Sequence, residues 1–85
     1  IGDKQMKSYP QLQVQCDLQG LPLQVEYGRL ILQVRKIMEI WKDTGCWWQG
    51  ESEKAFYRLL CHDNSVREIF LDIGSEEWFL YKTYD

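Results

Sequence analysis

The sequence predicts a small all-β domain, an antiparallel meander of five to six strands curled into a barrel or a strongly bent sheet. Apolar and polar residues alternate along most of the chain from residue 11, which is the period of a strand with one buried face. Turn signals rich in Gly, Asn and Asp separate these runs. So many short strands in 85 residues bury little as a flat sheet, and a barrel also removes exposed edges.

Composition indicates one packed domain. The chain has 85 residues, of which 45% are hydrophobic and 14% aromatic, values that favour a core over disorder. We expect residues 1–10 to form a flexible N-terminal tail and residues 11–85 a single β domain. A net charge of −3 gives little attraction for nucleic acid or anionic lipid. No apolar run approaches the roughly 20 residues of a membrane span, so we expect a cytoplasmic protein with no membrane partner.

The first two strands are predicted at 11–18 and 23–27. One face of the first is apolar and the other polar, and the apolar positions are Leu12, Val14, Cys16 and Leu18. Gly28-Arg29 then forms a two-residue hairpin turn, in which glycine can adopt a positive φ.

The third strand is predicted at 30–41, although its second half also fits a helical period. Its Ile, Val and Trp content and the lack of an N-cap favour a strand. A bend or bulge near Arg35-Lys36 would switch the register, so that both Ile40 and Trp41 are covered.

The last three strands are predicted at 55–62, 66–73 and 77–84, joined by turns at 63–65 and 74–75. In the first of them, Tyr57, Leu59 and Cys61 share one face, with Leu59 buried. In the second, Ile69, Leu71 and Ile73 should point inward. Truncation of Leu59 or Leu71 is therefore expected to cost roughly 2–5 kcal/mol.

The cysteines suggest a reducing compartment. Cys16, Cys46 and Cys61 are odd in number and form no C-x-x-C pair. We expect Cys16 and Cys61 to be small buried hydrophobes. A zinc site would need all three cysteines to converge with His62, the only histidine, and no metal or cofactor is predicted.

No catalytic site is predicted. The chain lacks a Ser-His-Asp order and a glycine-rich phosphate loop, and its paired carboxylates, such as Glu76-Glu77, occur in turns where solvated charges are common.

Aromatic residues provide the main functional signal, because residues 41–50 hold three of the four tryptophans. Trp48 is expected to pack on Trp78, whereas Trp47 should point the other way and be exposed. The predicted interaction surface consists of Trp47, Arg58, Phe79, Tyr81 and Tyr84.

Several motifs together resemble a small bacterial domain of unknown function. They are Trp41, Gly45, Trp47-Trp48, Gly50-Glu51, the strand at 56–59, the acidic-ended strand at 68–72, Trp78 with the residues to 81, and Tyr84-Asp85. That family occurs as stand-alone proteins and as the C-terminal module of catalytically inactive relatives of Y-family polymerases that assist mutagenic DNA repair. The resemblance implies an accessory module without assigned chemistry, whose partner would be a DNA-repair factor.

Three functions therefore stay open. The first is a non-catalytic protein-interaction module, present as a monomer or weak homodimer. The second is a single-stranded nucleic-acid binder that stacks bases on Trp47, Tyr57 or Tyr81, with Arg58 and Lys82 on the backbone. The third is a domain that only self-associates through an edge strand.

Overall fold

The computed structural model describes residues 9–43 and 53–84, and these form six antiparallel strands. The strands are β1 (Gln11–Cys16), β2 (Pro22–Tyr27), β3 (Leu30–Asp43), β4 (Lys54–Cys61), β5 (Val66–Asp72) and β6 (Glu77–Tyr84). No helix occurs within the described residues. The predicted all-β barrel of six strands is confirmed, and the predicted strand ends lie close to the observed ones.

Each strand pairs with the next along the chain, and β6 returns to β1 to close the barrel. The closing seam is short: Gln11 lies opposite Phe79 and Leu12 opposite Trp78. The N–H of Leu80 also donates to the carbonyl of Pro10 at 2.9 Å. The chain before β1, predicted as part of a tail, thus contacts the barrel from residue 9 onward.

The long strand β3 contributes to two parts of the barrel. Its first residues pair with β2, and its remainder, from Val34, pairs with β4. The register shifts between Val34 and Lys36 and again between Ile37 and Glu39, which confirms the predicted bulge and excludes a helix there.

That bulge covers only one of the two side chains that it was expected to cover. Trp41 is half-buried and stacks on Phe56 at a ring distance of 5.4 Å. Ile40, however, is 49% exposed, so its predicted cover is wrong. The reason is that β2 pairs with β3 no further than Gln33, so β2 does not extend over Ile40.

The barrel interior is apolar and is built from every strand. Leu12, Val25, Leu59 and Ile69 form its buried centre, and Leu59 and Ile69 have no exposed surface. Around this centre pack six partly buried residues, namely Val14, Val34, Ile37, Tyr57, Trp78 and Leu80. The shared face predicted for Tyr57, Leu59 and Cys61 and the inward position predicted for Ile69 agree with this arrangement.

The prediction of an apolar face for β1 is wrong at the C-terminal end of the strand. The strand stops at Cys16, which is exposed, and Leu18 is fully exposed in the following turn. Asp17 causes the early stop, because its carboxylate accepts hydrogen bonds from the N–H groups of Gln19 and Leu21 at 2.8 and 2.9 Å. An acidic side chain that caps its own turn competes with strand pairing.

The end of β5 also differs from expectation. The strand ends at Asp72, so Ile73 lies in the turn and is 38% exposed rather than inward. Leu71 is only half-buried, because it lies near the same end of the barrel.

Candidate interaction surface

A row of four aromatic rings crosses the outer face of β3, β4, β5 and β6. Cross-strand pairing aligns one ring from each strand, in the order Trp41, Phe56, Phe70 and Phe79. Neighbouring ring centroids are 5.4, 5.3 and 5.2 Å apart. Cross-strand aromatic pairs at such distances stabilise a sheet beyond the area they bury. We call these four residues the aromatic row.

Two tyrosines pack on the aromatic row. Tyr9 meets Phe70 edge-on at 5.4 Å, and Tyr81 meets Phe56 at 5.1 Å. Phe56 and Phe70 are only 7% and 4% exposed, although both lie on the outside of the barrel. The barrel therefore has a second apolar layer, which strand alternation alone assigned to the solvent side. The signal that could have found it is the occurrence of Phe at polar-face positions of two successive strands.

Beside the aromatic row lies a row of alternating charges. The register places Glu39, Arg58, Glu68 and Lys82 next to one another on β3 to β6. Arg58 binds both neighbouring acids: its Nε donates to Glu68 Oε2 at 2.8 Å, and its Nη1 lies 2.9 Å from Glu39 Oε1. We call these four residues the charged row.

Glu68 is the buried member of the charged row. It is 2% exposed, and it accepts a hydrogen bond from the hydroxyl of Tyr84 at 3.3 Å besides that from Arg58. A buried carboxylate requires such partners, because an unpaired charge is costly away from water. The hydrogen bond to Glu68 is also the main cause that raises the pKa of Arg58 above its ordinary value, and Glu39 adds to it.

The charged row contacts the aromatic row and the adjoining Tyr81 through cation–π interactions. The guanidinium of Arg58 lies 5.8 Å from the ring centre of Trp41, and the ammonium of Lys82 lies 5.2 Å from that of Tyr81. Such contacts attract a cation to an aromatic face by roughly 0.5–1 kcal/mol at exposed sites. The charges of this row are therefore linked to one another and to the neighbouring rings.

An open groove of about 350 Å³ adjoins the charged row. It is lined by Met38, Arg58, Val66 and Tyr84. Met38 is 48% exposed and Tyr84 41%, so part of the surface of both side chains is accessible from solvent.

The structure brings four of the five predicted surface residues to one face. Phe79 and Tyr81 are half-buried and belong to the aromatic layer, so they act mainly in packing. Arg58 and Tyr84 adjoin the groove and are the accessible pair.

Trp47 lies outside the described residues, as does the predicted contact of Trp48 with Trp78. Sequence reasoning missed Met38, whose half-exposed position depends on the bulges in β3.

The tyrosines proposed for base stacking, Tyr57 and Tyr81, do not lie on the same face of the barrel. Tyr57 belongs to the barrel interior, where it packs against Trp78 at a ring distance of 5.3 Å. Burial raises the pKa of its hydroxyl above the ordinary value. Tyr81 lies on the outer face, so Tyr57 and Tyr81 do not offer their rings on the same side of the barrel.

The remaining reactive side chains are dispersed. Cys61 is fully buried, and burial raises the pKa of its thiol, whereas Cys16 is exposed and not the buried residue expected. Within residues 9–43 and 53–84, no three His, Cys, Asp or Glu side chains are grouped as a metal site would require.

Over the same residues, no helix has the length and apolar character needed to cross a bilayer.

Comparison with family models, with curated proteins and with solved structures finds no match for this chain. The resemblance to the mutagenic-repair module therefore stays a prediction.

Proposed function

We propose that this chain is a non-catalytic protein-interaction module that binds its partner through the outer face of β3 to β6. The observation that carries the proposal is the charged row beside an open groove. There Arg58 is held by two carboxylates and a tryptophan ring, yet its side chain is still 38% exposed. A fixed arginine loses little conformational entropy on binding, and arginine and tyrosine are enriched among residues that dominate interfaces.

The partner class follows only from the resemblance. By that resemblance the module would serve DNA repair, as a cytoplasmic accessory domain that contacts a repair factor. The closed barrel is compatible with such a module, since a small rigid fold can present a surface without any catalytic group.

A photo-crosslinking experiment in cells tests the proposal. The photoreactive residue p-benzoylphenylalanine would replace Tyr84 beside the groove, or Gln13 on the exposed face of β1 as the control. We expect one adduct of defined mass from position 84 and none from position 13. Failure of position 84 to give an adduct, or identical adducts from both positions, would reject this face as the interaction surface.

A further inference from the structure

We infer that the groove beside Arg58 binds an acidic peptide segment that also carries an apolar side chain. This inference rests on the proposed function, because it names the chemistry of the partner at the same surface.

The walls of the groove favour an apolar side chain. Met38 and Val66 contribute aliphatic surface, and the ring of Tyr84 adds an aromatic wall with a polar tip. The volume of about 350 Å³ lies within the range of roughly 300–1,000 Å³ typical of ligand pockets. Met38 is flexible and polarizable, so it can adapt to differently shaped apolar groups.

The exposed charges around the groove favour an acidic ligand. Register places Lys36 in line with Val66 and Tyr84, and Lys82 in line with Arg58. Lys36 and Lys82 are both exposed, and Arg58 is partly so. Among the described residues of these two lines, the opposing acids are Glu39, which is exposed, and Glu68, which is buried and already bound by Arg58.

Among the described residues beside the groove, exposed cations therefore outnumber exposed acids, although the chain as a whole has a net charge of −3. A guanidinium has five N–H donors, and the two ion pairs use Nε and Nη1. Carboxylates of a partner can accept hydrogen bonds from the remaining donors and from the lysine ammonium groups.

A peptide fits the same surface better than a nucleic-acid strand. Stacking of successive bases requires several exposed aromatic faces, but Phe56 and Phe70 are buried and Tyr57 lies in the interior. Tyr84 is the exposed ring that lines the groove. The overall negative charge also weakens attraction for a phosphate backbone.

Titration of the full ¹⁵N-labelled chain with defined probes tests the inference. The acidic probe is acetyl-Glu-Asp-Leu-Phe-Asp-Glu-amide. Its controls are the charge-reversed Lys-Lys-Leu-Phe-Lys-Lys peptide, a peptide with Gly-Gly in place of Leu-Phe, and oligo-dT. We expect only the acidic probe with Leu-Phe to give saturable amide shifts, centred on Met38, Val66 and Tyr84.

Charge reversals on the protein locate the binding site. Lys82→Glu and Lys36→Glu should each weaken binding of the acidic probe by at least about tenfold, since each replaces attraction by repulsion. Lys42→Glu is the matched control, because it makes the same change of net charge on an exposed residue near the far end of β3. Retained amide spectra show that each variant is folded.

Several results would overturn the inference. These are equal binding of the lysine probe, stronger binding of oligo-dT at the same amides, an unchanged affinity of Lys82→Glu and Lys36→Glu, or no shift with any probe. The crosslinking experiment at position 84 is independent of probe chemistry. An adduct there, with no preference for the acidic probe, would reject the acidic ligand but keep the interaction surface.

Discussion

At the scale of single residues, burial inside the barrel separates the side chains that stabilise this protein from those that do not. Leu59 has no exposed surface and lies in the centre of the core, whereas Leu18 is fully exposed. We expect Leu59→Ala to lower the free energy of unfolding by roughly 2–5 kcal/mol, because it removes packed methyl groups and leaves a cavity.

Urea denaturation measures this difference, with Leu18→Ala as the control, which should change stability by less than about 0.5 kcal/mol. The loss of stability caused by Leu71→Ala should lie between those of Leu59→Ala and Leu18→Ala, since Leu71 is only half-buried. Equal losses at all three positions would contradict the assignment of the barrel interior.

The buried carboxylate of Glu68 is the basis of a second prediction about stability. Arg58→Met removes its main partner and leaves a charge at a site that is 2% exposed. The variant should be clearly less stable than the wild type, because breaking one side of a buried pair leaves an uncompensated charge.

The double variant Arg58→Met with Glu68→Leu should recover most of the lost stability, since it removes both charges together. Thermal melts of the wild type, the single variant and the double variant test this order. A double variant that is no more stable than Arg58→Met would show that Arg58 stabilises the fold by packing on Trp41 instead.

Turns determine where the strands begin and end. The hairpin turn between β2 and β3 depends on one glycine. Gly28 has a φ of +60°, in the left-handed region that side chains with a Cβ disfavour. No atom lies within 4 Å of a Cβ placed there, so a substitution meets backbone strain and no clash.

We therefore expect Gly28→Ala to cost about 1 kcal/mol, and Arg29→Ala at the next position in the turn to cost much less. Chemical denaturation of the two variants measures the difference. If Gly28→Ala left the free energy of unfolding unchanged, the turn could change its type without losing stability.

The turn between β4 and β5 carries a pH-dependent contribution. Asp63 accepts hydrogen bonds from the hydroxyl of Ser65 at 2.6 Å and from its N–H at 3.0 Å, and these lower the pKa of Asp63 below its ordinary value of 3.8. A lowered pKa gives stability that is complete above the ordinary value and is lost as the pH falls through the folded-state value.

Ser65→Ala should thus lower Tm at pH 7, and the gap from the wild type should narrow at an acidic pH below 3.8, as the Asp63 carboxylate of the folded state becomes protonated. Calorimetry at both pH values tests this. A gap that is independent of pH would mean that Ser65 acts without the charge of Asp63.

The elements themselves could be predicted well because their signals are local. Alternation and turn residues located all six strands, and the bulge in β3 followed from a break in the apolar period. The errors at Cys16, Leu18 and Ile73 occurred where a turn begins one or two residues early. At Asp17 the cause is a side chain that bonds its own backbone, a competition that periodicity does not reveal.

For the whole molecule, closure of the barrel depends on the short seam between β1 and β6. This ladder has two aligned positions, whereas β4 and β5 align from Lys54 opposite Asp72 to Leu60 opposite Val66. A short ladder opens at lower free energy than a long one that encloses the core.

We expect the Leu80 amide, which donates across the seam to Pro10, to exchange with solvent at least about tenfold faster than the Ile69 amide. Hydrogen exchange followed by NMR measures both. Equal protection of the two amides would show that the barrel opens as one cooperative unit.

The sequence by itself determined the class of the fold, the order of the strands and the positions of most of the inward residues. These follow from neighbours along the chain, since alternation states which residues share a face. Only the tertiary structure decided which outer positions are covered and which remain open. Phe56, Phe70 and Phe79 meet because three strands pair in one register, and the same register aligns Glu39, Arg58 and Glu68. Contacts between residues so far apart in sequence leave no periodic signal, so periodicity located neither the partners of Phe56 and Phe70 in the second apolar layer nor the groove.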